Sequence, residues 1–227
     1  MLELIAAFVE RYHMLLLEGV RDTLIMTVVS FLFAYVLGLP LGVLLVISKP
    51  HGIRPNRVCS TVVGWIVNIG RAILFIILMI SIMPLTKAIM GTKLGVRGAV
   101  FPLIASAAPF VARMVETSLS EIDGGVIEAA QAMGATTWQI IRKVYLPEAF
   151  PSLVLGSSVS FVTIFAYTTM AGAVGAGGLG DIAIRYGYNR YEADVLWVTV
   201  VLLILLVEAA QTIFNHLSRR MDKRIRK

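Results

Sequence analysis

The feature that most constrains this chain is a series of five long apolar stretches: Thr23–Ile47, Val58–Met83, Val96–Leu119, Ser152–Ala173 and Asp194–Phe214. A helix rises ~1.5 Å per residue, so ~20 apolar residues cross the ~30 Å hydrocarbon core of a bilayer. No water reaches the peptide groups there, and only helices or closed barrels satisfy them internally. The alternating ten-residue segments of a transmembrane barrel are missing. The expectation is an all-α polytopic membrane bundle with five transmembrane helices. Composition agrees: 58% of the 227 residues are hydrophobic and 15% are charged, against about 25% charged in a soluble domain. This argues against a soluble enzyme, a disordered chain and a nucleic-acid binder. The net charge of +6 does not revive the last, because six of the 20 Lys and Arg residues fall within 219–227, where a cytoplasmic anchor would place them. Cys59 stands alone and His13, His51 and His216 are scattered, so neither an internal disulfide nor a metal-ligand spacing is expected.

The stretches differ in character. The first is uncharged, the second carries Asn68 and Arg71, and the fifth is interrupted by Glu208. The third is rich in Ala, Ser, Gly and Pro; small residues let helix backbones approach closely in lipid, so this helix is expected inside the bundle. Residues 2–20 set Leu4, Phe8, Tyr12, Leu15 and Leu16 at helical spacing, with Glu3, Glu10, Arg11 and Glu18 largely opposite. This reads as an amphipathic helix at the membrane surface, the alternative being a lead-in to the first span. Glu3 stands where a cleavable signal would be basic, so none is expected. An odd number of spans puts the termini on opposite sides. With the basic tail 218–227 cytoplasmic, the N-terminus is external and the segments 49–57 and 117–150 fall inside. Inside segments then hold 11 Lys and Arg, outside segments 7 when Arg97, at the head of the third stretch, is counted with them. No repeat or flexible linker divides the chain, so residues 1–227 are read as one transmembrane domain.

The longest segment between spans is the most informative. Asp123-Gly124-Gly125 marks a break before a helix over Val126–Met133, and Gly134 supplies its stop. Thr136 or Thr137 can cap a following helix, which Pro147 is expected to end before the chain re-enters the membrane. A helix–turn–helix across the cytoplasmic face is predicted over residues 121–147.

Glu128-Ala129-Ala130, three residues, Gly134, nine residues, then Val144-Tyr145-Leu146-Pro147 resembles the cytoplasmic signature of permease subunits of ATP-driven, binding-protein-dependent importers, with Val in place of the usual Ile. The resemblance implies that 121–147 is a coupling helix docking on a separate ATPase, through Glu128, Ala129, Ala130, Gly134, Leu146 and Pro147. Gly172–Gly180, Tyr186-Gly187-Tyr188 and Ala107–Glu116 look like the methionine-importer branch, over nearly the whole chain. That likeness implies two permease copies, two ATP-binding cassette subunits, an extracytoplasmic binding protein or lipoprotein, and a bacterial inner membrane. ATP and magnesium would act in the partner; the chain has no Walker motif and no cofactor is expected in it. One position departs. The branch usually has Pro where Leu74 stands; that Pro would kink the second helix, so pathway shape is in question there.

Other candidates carry competing readings. Gly175, Gly177 and Gly180 fit G-x-G-x-x-G, but no βαβ unit surrounds them; an irregular turn or close helix contact fits better. Arg71, 13 residues into its stretch, is either a pathway or gate residue or a structural pair with Glu208 or a carbonyl. Arg113 and Glu116, three apart, read as a local ion pair, or more sharply as a proton relay. Ser106, Ser160, Thr163, Tyr167, Thr168 and Thr169 either line a polar pathway or bond between helices. Asn68, Arg71, Ser106, Thr163 and Tyr167 are the pathway candidates. Three function classes remain at this stage: an ATP-driven importer permease for methionine or another small solute, an ion-coupled secondary transporter using Arg71, Arg113 and Glu116, and a membrane enzyme. No catalytic constellation favours the third.

Overall fold

The computed structural model describes the backbone of residues 2–50 and 52–221, and the side chains of residues 10–50 and 52–218. His51 and most of the basic tail therefore lie outside the described residues. The first element corrects an expectation. Residues 2–20 are helical but not a separate surface helix: α1 runs unbroken over Leu2–Ser48. At 47 residues it is about 70 Å long, well beyond one bilayer core. Thr23, the first residue of the first apolar stretch, lies inside this helix and donates its hydroxyl to the Gly19 carbonyl at 2.8 Å.

The second apolar stretch also departs from expectation. Asn56 caps α2 (Arg57–Ala72) by accepting from the Cys59 amide at 3.0 Å. The helix then stops at extended Ile73, and α3 (Phe75–Ser81) and α4 (Met83–Met90) follow. The chain bends by 100° at this break. The bend exists without proline, because Leu74 itself adopts φ −62° and ψ 135° and Ile73 has ψ 123°. Those are the values a prolyl ring and the residue before it require. Leu74→Pro is therefore expected to keep the fold and add about 0.4–1 kcal/mol of stability, read as a raised melting temperature in detergent.

Among the described residues four helices are each long and apolar enough to cross a membrane, and the bent pair α2–α3 brings the number to five if it is counted as one span. They are α1, α5 (Gly95–Ser120), α9 (Phe150–Gly172) and α11 (Ala193–Met221). Between α5 and α9 lie α6 (Gly124–Ala132), α7 (Thr137–Ile140), a π-turn (Ile141–Tyr145) and α8 (Leu146–Glu148). Between α9 and α11 lie α10 (Gly178–Ile182) and a second π-turn (Ala183–Tyr188). The small-residue helix α5 is 61% buried across its apolar window and α11 only 11%, so small side chains do mark the inner helix.

The chain forms two compact units, and each long helix contributes to both. Unit 1 comprises Met1–Ser30, Leu74–Ile104 and Val162–Ala209. Its core joins Met26, Phe75, Met79, Leu103 and Ala171, with Tyr167 stacked on Phe75 at 4.8 Å. A second cluster joins Tyr12, Leu179, Ile182 and Val195. The glycine run belongs here as a close contact: Gly180 abuts the Thr169 backbone, and Gly172 abuts Gly180 and Asp181. Thr23 has a second task in this unit. Its oxygen accepts from the Leu179 amide at 2.9 Å, capping α10, whose own N-cap residue is Gly177. Thr23→Val keeps the shape but leaves that buried amide unpaired. We expect a loss of about 1–2 kcal/mol, seen as a lowered melting temperature.

Unit 2 comprises Phe31–Ile73, Ala105–Phe161 and Ala210–Lys227. Gly38 and Gly42 of α1 admit Val111 and Val115 of α5, and Leu45, Val67 and Ala112 pack between α1, α2 and α5. Phe31, Phe161 and Phe214 form an edge-on aromatic group. The long inter-span segment lies wholly in this unit.

Candidate coupling site

The signature segment folds as two short helices joined by a tight turn. Asp123 starts α6 by accepting from the Gly125 amide at 2.8 Å. The helix ends in a Schellman motif. Gly134 sits at φ +77°, its amide donates to the Gln131 carbonyl at 2.9 Å, and the Ala135 amide donates to Ala130 at 3.1 Å. Glycine is required by that left-handed conformation and not by crowding, since a side-chain carbon added there would meet nothing within 4 Å. Thr136, not Thr137, caps α7, in a reciprocal capping box with Gln139.

Pro147 does not behave as the sequence suggested. The helical path continues through it to Glu148 and bends only at Ala149. The preceding π-turn is the reason: the Leu146 amide already reaches back to the Ile141 carbonyl, and Pro147 falls in the first turn of α8, where its missing amide is harmless. Tyr145 is buried under this turn, and desolvation pushes its phenol above the ordinary value.

One face of the hairpin is packed and the other is bare. Ile127, Ala130, Ile140, Ile141 and Tyr145 are buried. Ala130 thus serves internal packing, while Glu128, Ala129, Gly134 and Pro147 are exposed and Leu146 is half-buried. Beside them two large apolar side chains point outward: Met133 is 81% exposed and Trp138 67%. Sequence reasoning did not single these two out. Their signal was the presence of bulky apolar residues at a cap and in the first turn of a short polar hairpin, where packing inside the chain does not need them.

A charged cluster joins the C-terminal ends of α1 and α5 to the body of α2. Glu116 pairs with Arg113 on the next turn of α5, as expected, and also with Lys49 just past α1, at 3.0 Å. Arg113 in turn donates to Asn68 of α2 at 2.7 Å. Lys49 also donates to Ser120 at 3.1 Å. Sequence spacing located the Arg113–Glu116 pair but not Lys49, 67 residues away from Glu116 in the chain. With both oxygens of Glu116 engaged by cations, the arrangement gives no support to a proton relay.

Of the pathway candidates, Asn68, Arg71 and Ser106 belong to unit 2, and Thr163 and Tyr167 to unit 1. Asn68 is engaged by Arg113, Tyr167 stacks on Phe75, Ser106 is buried and Thr163 is half-buried. Arg71 is exposed and makes no ion pair or hydrogen bond among the described residues, so neither structural pairing is met there. Ser160 donates to Gly156, and Thr168 and Thr169 donate to Phe165, each within its own helix. Thr168 and Thr169 satisfy themselves locally, whereas Ser160 also meets the Tyr35 hydroxyl of α1 and so bonds between helices. Among the described residues no three His, Cys, Asp or Glu side chains are grouped for a metal.

Comparison with known proteins converges on one kind of chain. The family model described as "Binding-protein-dependent transport system inner membrane component" matches residues 22–227. A probable D-methionine transport system permease protein MetI of Vibrio cholerae is 48% identical over 210 residues, 92% of this chain and 93% of that one. The D-methionine transport system permease protein MetI of Escherichia coli K12 is 50% identical over 158 residues, 70% of this chain and 73% of its own. A solved structure described as inward-facing conformations of the MetNI methionine ABC transporter superposes with a TM-score of 0.93 at 48% identity, covering 94% of this chain and 99% of the other.

Proposed function

Because the chain belongs to the family of binding-protein-dependent transport system inner membrane components, we propose that it is the permease subunit of an ATP-driven importer of methionine. It is a multi-pass protein of the inner membrane and not itself an enzyme. The observation that carries the reading is the capped hairpin of residues 121–147, which presents the signature residues Glu128, Ala129, Gly134 and Pro147 beside bare Met133 and Trp138. Bare apolar surface on an otherwise polar hairpin is what a partner subunit covers.

On this reading two permease copies pair with two ATP-binding cassette subunits, which hold ATP and magnesium. A binding protein delivers D- or L-methionine at the outer mouth, and movement of the two hairpins alternates access across the bilayer. The basic tail and residues 121–147 face the cytoplasm and the N-terminus lies outside, in keeping with the excess of Lys and Arg on that side. The exposed Arg71, near mid-stretch, faces the second copy or the solute path, because a bare charge in lipid is too costly to retain.

Gentle solubilisation of native membranes, capture of the permease and mass spectrometry of its partners test this. An ATPase subunit at about one copy per permease is expected, followed by ATP-dependent uptake of labelled methionine in proteoliposomes. Capture of the permease alone, with uptake that ignores ATP but collapses with an uncoupler, would overturn it in favour of an ion-coupled carrier.

A further inference from the structure

We propose that Glu116 is a positioning residue that locks the C-terminal ends of α1 and α5 and the body of α2 together, so that displacement of the coupling hairpin moves all three. The inference rests on the importer reading above and adds a part of unit 2 that the signature does not contain. Three observations carry it. The Glu116 side chain is only 8% exposed, yet it holds two cations from different elements, Lys49 past the end of α1 and Arg113 of α5. Arg113 extends the lock to α2 through Asn68, and Lys49 returns to α5 through Ser120. Finally, Lys49 and Ser120 line a cavity of about 400 Å³ whose remaining wall includes Ile127, Glu128 and Gln131 of the coupling helix.

The physical logic follows from that cavity. The face of α6 that carries Gly124, Ile127, Glu128 and Gln131 is not packed solidly; it faces Lys49 and Ser120 across open space. A push on the hairpin enters through its buried residues Ala130 and Ile140, which do not line the cavity. The neighbouring helix ends follow only if something rigid ties them together. Apolar contacts between small residues slide easily, whereas a buried carboxylate bonded to two cations resists separation, since parting them leaves charge unpaired at low dielectric. The Arg113–Glu116 pair alone lies within one helix and could lock nothing. Lys49 and Asn68 turn it into a cross-helix fastening. Glu121 adds a neighbouring tie, accepting from Ser152 at the start of α9 at 2.8 Å.

The test uses the permease purified with its ATPase in proteoliposomes. Glu116→Gln keeps the shape and removes the charge. We expect methionine imported per ATP hydrolysed to fall about five-fold or more, while assembly yield holds. Glu116→Asp retains the charge and should recover at least about half of the wild-type ratio. A wild-type ratio in Glu116→Gln, or an equally poor ratio in both variants, overturns the proposal. Should Glu116→Gln fail to assemble, Lys49→Gln removes the tie to α1 from a side chain that is 42% exposed; an unchanged ratio there overturns it too.

A transport-independent readout separates this proposal from the function it rests on. In a Cys59→Ser background, spin labels at exposed Arg57 and Arg142 report the distance between α2 and the hairpin with and without nucleotide. A distance that is constant in the wild type and nucleotide-dependent in Glu116→Gln supports the lock; a distance that changes equally in both overturns it. A wild-type complex that moves no methionine would overturn the importer reading, and the label pair would still decide the lock.

Discussion

Gly180→Val is expected to abolish recovery of folded permease, while Gly124→Ala leaves both yield and melting temperature unchanged. A side-chain carbon on Gly180 would meet the carbonyl oxygen of Thr169, its Cα at 2.8 Å and its carbonyl carbon at 2.9 Å. All are backbone atoms of α9, so no rotamer change relieves the overlap; the helices must part. Parting them disturbs the reciprocal contact of Gly172 with Gly180 and Asp181, and the Leu179 amide bond to Thr23. Overpacking by a methylene or two ordinarily costs about 1–3 kcal/mol. Displacing backbone at a helix crossing lies above that range, and a domain holds only about 5–15 kcal/mol in reserve. At Gly124 nothing lies within 4 Å of the added carbon. Detergent extracts of the two variants, heated and then resolved by size exclusion, provide the comparison. A Gly180→Val protein that elutes and melts like the wild type would mean α9 and α10 do not approach this closely.

Trp138→Asp should have the opposite profile: a permease that folds normally and transports nothing. The side chain is 67% exposed, so its removal takes little packing from the chain. It is the second residue of α7 after the cap Thr136, where an acidic side chain favours the exposed amides of the first turn. The variant hairpin is thus as well formed as the original. What changes is the surface offered to a partner. A buried aromatic anchor is commonly worth about 2 kcal/mol or more, and a charge left unpaired in its place adds to the loss. Binding of the ATPase is expected to weaken by a factor of about 30 or more, with ATP-dependent uptake lost in proportion. Pull-down of the ATPase and methionine uptake measure the two consequences, and the melting temperature of the isolated permease should stay within about 2 °C. Undiminished pull-down would show that the partner covers some other surface.

These two sites illustrate different routes from sequence to structure. The coupling hairpin is built from local chemistry. Gly134 is needed because only glycine enters the left-handed region at little cost, and Thr136 with Gln139 closes a cap within four residues. Such features depend on neighbours along the chain and could be read directly from it. The apolar stretches were legible for a similar reason: a bilayer demands a minimum run of apolar residues whatever the rest of the fold does. The inner position of α5 was also legible, because its small residues announce close packing.

The remainder came from contacts distant in sequence. The Thr23 hydroxyl donates within its own helix and caps another 156 residues away, so the first residue of the first apolar stretch became an interior contact of an unbroken α1. Leu74 sits in a proline-like conformation without a proline, since packing of Phe75 against Tyr167 and Met79 into the same core fixes where α3 runs. Asn68 and Arg113, separated by 45 positions, meet in one charged cluster with Lys49. The sequence alone therefore determined the class of protein, the membrane-crossing stretches and the shape of the coupling hairpin, because hydrophobic run length and capping are short-range requirements. The tertiary structure decided where helices break, which polar groups pair and which face stays bare, because those depend on side chains brought together only when the helices pack.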